Sequence, residues 1–175
     1  MIITSRSIFE LVGFLPKLQE LDLDFTICKF TDDGAKKAFT ATFPGLKSLK
    51  LYKIDLDNGI SLSCAYKMIM SFPNLQALEI STSDSDGKPT THAVCTPKID
   101  YNALGLLQLQ NVVLTYSTTS ENEICLIKYL LACSPALKKI FICTRLFIMP
   151  DDKYKFARKL LKHHRASPIV DIDLN

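Results

Sequence analysis

LPKLQELDL at residues 15–23 decides the fold, because its hxxhxh pattern, in which h is aliphatic, returns four times along the chain. The other copies are FPGLKSLKL (43–51), FPNLQALEI (72–80), QLQNVVL (108–114) and SPALKKIFI (134–142). The first aliphatic positions of the five copies are 28, 29, 34 and 28 residues apart. Spacings in or near this range are typical of leucine-rich repeats, in which each unit contributes one strand to a shared sheet.

Each strand phrase is preceded by a segment with helical spacing, so the predicted unit is a helix followed by a strand. Two capping boxes, in which a serine and a glutamate three residues later satisfy each other's amides, mark helix starts at Ser7 with Glu10 and at Ser120 with Glu123. Further helices are predicted over 31–42, over 63–70 after a serine cap, and over 151–164.

A proline at 16, 44, 73 and 135 stands before four of the five strands, where it ends the helix and favours extended backbone. Strands that are connected through helices run parallel with right-handed crossovers. The sequence therefore predicts an α/β fold: a leucine-rich-repeat-like, right-handed solenoid with a parallel sheet on one face and helices on the other. The polar, turn-rich stretch 81–97 accounts for the long spacing as a surface loop inserted in one repeat.

The last part of the chain is predicted to cover the end of the sheet. The helix over 151–164 has an apolar stripe that would pack on the last repeat, formed by Phe156, Ala157, Leu160, Leu161 and His164. The closing IVDIDL at 169–174 alternates aliphatic residues with aspartates, as an edge strand does.

The open face of the sheet is the predicted binding surface, because successive side chains of a strand point to opposite faces. The predicted contacts are an aligned row, Asp22, Lys50, Glu79, Val113 and Phe141, with Asp24 and Tyr52 beside it. The row is expected to be charged at one end and apolar at the other. Opposite charges across strands contribute about 0.2–1 kcal/mol per pair, so for each single residue we favour the explanation that it is merely a compatible neighbour. As a whole, the face is predicted to contact a protein target, since rigid sheets present aromatic contacts well.

A basic stretch sets the charge distribution of the chain. Six of the 21 basic residues fall between 153 and 165 without an acid, which leaves 15 basic and 18 acidic residues elsewhere. Such a helix suits anionic lipid, calmodulin or nucleic acid. The acids at its start and the cations toward its end also complement the helix dipole, and its stripe is needed to cover the last repeat. We favour this structural explanation and predict no nucleic-acid or membrane partner.

Neither catalysis nor a bound cofactor or metal is predicted. The six cysteines lie singly, with no CxxC pair, and are interpreted as reduced thiols. There is no phosphate-binding loop, HExxH or GxSxG motif, and His92 lies in a polar loop. No apolar run approaches a membrane span and no secretory signal is evident, so the expected location is cytoplasmic and/or nuclear.

The residues NEICLIKYLLACSPALKKIFI at 122–142 and RASP at 165–168 together resemble the FBD domain of plant F-box proteins. LPKLQELDL and ISLSCAYKMIMSFPNLQALEI (60–80) are similar to the leucine-rich repeats that precede that domain. The resemblance implies irregular repeats over 1–100 and an FBD domain over 101–175 that continues the solenoid and caps it. It also implies the target-recognition part of an F-box-type ubiquitin ligase receptor.

An F-box-like segment of the LPxxxLxxIxSxL kind does not occur in the chain. A ligase adaptor is therefore an expected partner only if an F-box lies upstream, and the chain is expected to be a C-terminal fragment or a truncated member. Two alternatives stay open. One is a leucine-rich-repeat scaffold or binding protein unconnected with ubiquitin. The other is a nonproductive family member, whose exposed strand edge at 17–24 would make it marginally stable or self-associating.

Overall fold

The computed structural model describes residues 3–4, 8, 10, 12–29, 43–83, 107–116, 120–144 and 150–175. The strands are β1 (Ile3–Thr4), β2 (Glu20–Asp24), β3 (Cys28–Lys29), β4 (Ser48–Ile54), β5 (Ala77–Thr82), β6 (Asn111–Tyr116), β7 (Lys139–Thr144) and β8 (Asp171–Leu174). The helices with assigned bounds are α1 (Gly59–Ser71), α2 (Glu121–Cys133) and α3 (Pro150–Leu161). Residues 8, 10 and 12–13, within the predicted helix 7–15, are also helical.

Six of these strands form one sheet in the order β2-β4-β5-β6-β7-β8, and every neighbouring pair is parallel. β1 and β3 form a separate parallel pair. All five strand phrases and the closing strand are therefore confirmed. An α/β fold with a six-stranded parallel sheet is consistent with a leucine-rich-repeat-like arrangement.

The hxxhxh phrases stack in register because each one places its last two aliphatic residues at the same height. One inward row joins Leu21, Leu49, Leu78, Val112, Ile140 and Ile172. The ladder continues into the turns, where the amide of Lys47 donates to the carbonyl of Gln19 at 2.8 Å and the amide of Gln76 donates to that of Lys47 at 2.8 Å. Each unit is thereby fixed on its neighbour before the strand proper begins.

The core lies against one face of this sheet. The inward side chains of the four inner strands are almost fully buried and belong to the same apolar cluster as residues of all three helices. On β2 and β8 the inward side chains Leu21, Leu23, Ile172 and Leu174 are only partly buried. Burial of this kind stabilises by about 25 cal/mol per Å² of apolar surface, so the inner strands contribute most per residue.

Helix α1 begins four residues before the predicted start, and the serine cap proposed for it is wrong. Asn58 is the N-cap, and its side-chain oxygen accepts hydrogen bonds from the amides of Ile60 at 3.0 Å and Ser61 at 3.3 Å. The carboxylate of Asp55 shapes the turn before it by accepting from the amides of Asp57 at 3.0 Å and Asn58 at 3.2 Å. An Asx turn leading into an Asn cap thus replaces the expected serine.

Helix α2 starts as predicted. The hydroxyl of Ser120 accepts from the amide of Glu123 at 3.3 Å, and the amide of Ser120 donates to the Glu123 carboxylate at 2.9 Å. This capping box is confirmed. The neighbouring residue Asn122 is buried and donates through Nδ2 to Asp57 Oδ1 at 3.2 Å, so the starts of α1 and α2 are joined directly.

The apolar stripe of α3 is narrower than predicted. Phe156 and Leu160 are buried, at 5% and 1% exposure, whereas Leu161 is 69% exposed and His164 is also exposed. Phe156 and Leu160 are four residues apart and share one face, while Leu161 is turned about 100° from Leu160. The predicted contacts of Leu161 and His164 with the core are therefore wrong.

Other predictions fall outside the described residues. These are the helix over 31–42, the inserted loop from residue 84 onward, His92, Cys95 and the proposed division of the chain at residue 100. Cys64, Cys125, Cys133 and Cys143 carry free thiols, as predicted for reduced cysteines.

Candidate protein-interaction surface

The predicted outward row is formed by residues that the sheet brings into register. Asp22 lies opposite Lys50, Lys50 opposite Glu79, Glu79 opposite Val113, and Val113 opposite Phe141. Asp24 lies opposite Tyr52 in the next outward row. All seven predicted contact residues therefore lie on one face, where none of them is buried.

The charged end of the row is held together by electrostatics. The ammonium of Lys50 is 3.9 Å from the carboxylate of Asp22, and both side chains are well exposed. The negative charge of Asp22 raises the pKa of Lys50, with smaller contributions from Tyr52 and Glu79. Exposed ion pairs of this kind contribute at most about 1 kcal/mol to stability. The pair between Lys50 and Asp22 can therefore break at little cost, and each side chain can then pair with a charged group of a partner.

Asp24 is engaged in a different way. Its carboxylate accepts from the hydroxyl of Thr26 at 2.6 Å, the amide of Thr26 at 2.9 Å and the ammonium of Lys53 at 2.9 Å. The Thr26 hydrogen bonds and Lys53 lower the pKa of Asp24 to about 2. Three donors within the chain therefore tie the Asp24 carboxylate to the turn after β2, and its contact with a partner stays a prediction.

An irregularity in β4, which the alternation does not reveal, creates this arrangement. The register shifts between Leu51 and Ile54, and Lys53 has a positive φ of 55°. Residues other than glycine adopt this left-handed conformation at a cost of the order of 1 kcal/mol. In Lys53 it accompanies an ammonium that reaches Asp24, whose partner in the strand ladder is the preceding residue, Tyr52.

The apolar centre of the row is formed by Val113, which is 36% exposed, and the half-buried Phe141. The expectation that the row ends in apolar residues is wrong, because Phe141 lies opposite Asp173 of β8. The Asp173 carboxylate is 3.4 Å from the ammonium of Lys139. The row is therefore charged at both ends and apolar in the middle.

Asp173 is the member of the outward row that the sequence reasoning missed. The signal was present in IVDIDL, because aligning Ile172 with Ile140 places Asp173 beside Phe141. Ile169, Ile172 and Leu174 have the hxxhxh spacing, but this strand begins three residues after Pro168, whereas β7 begins four residues after Pro135, so the phrase was interpreted only as an alternating edge strand.

The open face as a whole is acidic. Six carboxylates lie at outward positions, namely Glu20, Asp22, Asp24, Glu79, Asp171 and Asp173. The lysines that lie among them are Lys50, Lys53 and Lys139, each paired with an aspartate. The difference, six minus three, leaves a net charge of about −3 on this face.

The basic helix presents a second, separate surface. Outward residues of α3 include Lys155 and Arg158, with Tyr154 exposed beside them at 68%. Lys159 approaches Glu121 of α2 at 4.0 Å, which joins the basic stretch to the preceding helix. This contact and the burial of Phe156 and Leu160 fit the structural explanation given for the stretch.

Neither a cluster of metal ligands nor a membrane-spanning helix occurs in the described ranges. No three side chains among His, Cys, Asp and Glu there converge as metal ligands would. The helices in the same ranges are all too short or too polar to cross a membrane.

The chain is 24% identical over 164 residues to an F-box/FBD/LRR-repeat protein of Arabidopsis thaliana. The matched region covers 93% of this chain and 39% of that protein, so the chain spans about two-fifths of the relative's length. No protein-family model matches the chain, and no solved structure matches it.

Proposed function

We propose that this chain is a protein–protein interaction module that holds a protein target on the open face of its sheet. The observation that carries the proposal is the row from Asp22 to Asp173, in which exposed Val113 and half-buried Phe141 lie between charged residues. An exposed apolar centre with a charged rim is the usual composition of a protein-binding surface. The acidic charge of the face disfavours nucleic acid and anionic lipid, both of which carry negative phosphates.

The more specific role that we propose is target recognition for an F-box-type ubiquitin ligase receptor. Its support is the resemblance of 122–142 and 165–168 to the FBD domain, together with the name of the Arabidopsis relative. In this role the chain is not itself an enzyme, needs no cofactor, and works in the cytoplasm and/or nucleus. A leucine-rich-repeat-like solenoid closed by an FBD cap is the corresponding architecture, and a ligase adaptor is a partner only if an F-box lies upstream.

The interaction role is tested by capture of target proteins with the tagged chain from plant extract, followed by cross-linking and mass spectrometry. Phe141→Ala and Tyr52→Ala are expected to remove the specific targets, while Lys155→Ala on α3 serves as the control on the other surface. Cross-links from a retained target should fall around the open face. Targets that survive both open-face substitutions and are lost with Lys155→Ala would contradict the proposal.

The ligase role needs a separate experiment. An F-box fused to the N-terminus of the chain should lower the cellular level of a captured target, and a proteasome inhibitor should restore that level. The same fusion with Phe141→Ala should have no effect. A target that binds the open face and is never depleted by the fusion would leave a binding protein unconnected with ubiquitin.

A further inference from the structure

The spacing of charge along the outward row is the starting point. Glu79 on β5 and Asp173 on β8 are separated by three strand intervals, with Val113 and Phe141 on the two strands between them. Neighbouring strands lie about 4.8 Å apart, so the two carboxylates are about 14 Å apart across the sheet. The midpoint between them, at about 7 Å, falls between Val113 and Phe141.

An extended peptide has a matching period. It rises about 3.3 Å per residue and directs every second side chain to the same side, so residues i, i+2 and i+4 lie about 6.7 and 13 Å apart. Laid across the strands, residue i would reach Glu79 when residue i+4 reaches Asp173. Residue i+2 would then lie over Val113 and Phe141.

We propose, as a refinement that rests on the function proposed above, that the open face binds an extended basic segment of the form B-x-φ-x-B. Here B is Lys or Arg and φ is an apolar residue; the first B pairs with Glu79, φ packs on Val113 and Phe141, and the second B pairs with Asp173. The excess of carboxylates over lysines on this face favours a cationic partner.

The surroundings of the row allow a segment to approach. The outward neighbours of Glu79 and Val113 along their own strands are short and uncharged, namely Ala77, Ser81, Asn111 and Thr115. The segment would also compete with the chain's own lysines. Lys139 holds Asp173 at 3.4 Å with half of its side chain exposed, and such exposed pairs are readily exchanged.

The test uses the complete chain and two fluorescent peptides that have the same composition, one containing RTLTR and its isomer containing RRLTT. Fluorescence anisotropy at 0.15 M salt should show that RTLTR binds about two- to fivefold more tightly, which corresponds to one exposed ion pair. Glu79→Gln and Asp173→Asn should each weaken RTLTR by a similar factor. Lys139→Gln should strengthen binding, because it removes the competitor for Asp173.

Glu20→Gln is the matched control, since it removes the same charge from the same face at about 12 Å from Glu79, beyond the screening length of about 8 Å. Binding by this variant should be unchanged. Equal affinity for the two peptides, no measurable binding of either, or an equal loss with Glu20→Gln would overturn the inference. If Phe141→Ala still abolished target capture in that case, the open face would remain the binding surface and only the B-x-φ-x-B specificity would be wrong.

Discussion

Two serines in equivalent positions allow the contribution of one buried hydrogen bond to the stability of this fold to be measured. Ser134 and Ser167 each precede the proline that leads into a strand, and each is at most 1% exposed. The hydroxyl of Ser167 donates to the carbonyl of Leu137 at 2.6 Å, which joins the turn before β8 to the turn before β7. No partner for the hydroxyl of Ser134 is found in the described part of the chain.

Alanine at these two positions should therefore have opposite effects. Ser167→Ala leaves the buried Leu137 carbonyl without its donor, and the expected loss in free energy of unfolding is about 1–2 kcal/mol. Ser134→Ala removes a buried hydroxyl that has not regained the hydrogen bond it made with water, so we expect no loss and a gain of up to about 1 kcal/mol. The two variants should differ by about 1–3 kcal/mol, which for a chain of this length corresponds to roughly 2–12 °C in Tm.

Urea unfolding followed by far-UV circular dichroism measures this difference. The midpoints of the two variants should move in opposite directions while the slope m stays at its wild-type value. Both are Ser→Ala changes at a buried position directly before a proline, so the effect of the change in volume largely cancels between them. Equal destabilisation by the two substitutions would show that the Ser167 hydrogen bond contributes nothing specific.

Three further predictions follow from particular contacts. Leu114→Ala should lower the free energy of unfolding by about 2–5 kcal/mol because Leu114 is fully buried. Val113→Ala, on the outward side of the sheet, should lower it far less. Urea unfolding of the two variants measures this difference. Ser120→Ala should lower the free energy of unfolding by about 1 kcal/mol through loss of the α2 cap, measured in the same way. Carboxyl NMR should give a pKa of about 2 for Asp24, and the Lys53→Gln substitution should raise this pKa. Because the folded pKa is below the ordinary aspartate value of 3.8, the contribution of Asp24 to stability is present above about pH 4 and is lost as pH falls toward 2.

The sheet was predictable because the same physical requirement recurs in every unit. Each phrase must bury two aliphatic residues two positions apart, and β2, β4, β5 and β7 each begin four residues after a proline. Equal lengths place Leu23, Leu51 and Ile80 at one height, so the register between strands follows from the sequence alone. The Ser120 capping box was predictable for a similar reason, since it is local and needs no tertiary contact.

The failures occur where packing or backbone conformation overrides a local pattern. Serine and asparagine cap helices about equally well, so composition alone could not choose Asn58 over a later serine. The register shift near Lys53 leaves the alternation of Leu49 and Leu51 intact, and no residue type in this segment predicts the shift. The exposure of Leu161 depends on which face of α3 packs against the core. Helical spacing alone predicts a wider apolar stripe than the one that is buried in the structure.

The acidic residues of the open face do not all carry the same weight as indicators of function. Five of the six lie on β2 and β8, the outermost strands of the sheet, where charged side chains discourage unwanted pairing with another sheet. A second copy that added its β8 to β2 in the same register would bring Asp173 opposite Asp22, and like charges directly opposite each other are unfavourable. Edge protection therefore explains these five without any partner.

Glu79 lies on the inner strand β5, makes only a minor contribution to the raised pKa of Lys50, and has no such explanation. Edge protection does not account for its position beside the apolar centre, so the response of binding to Glu79→Gln is the most informative single result for this surface.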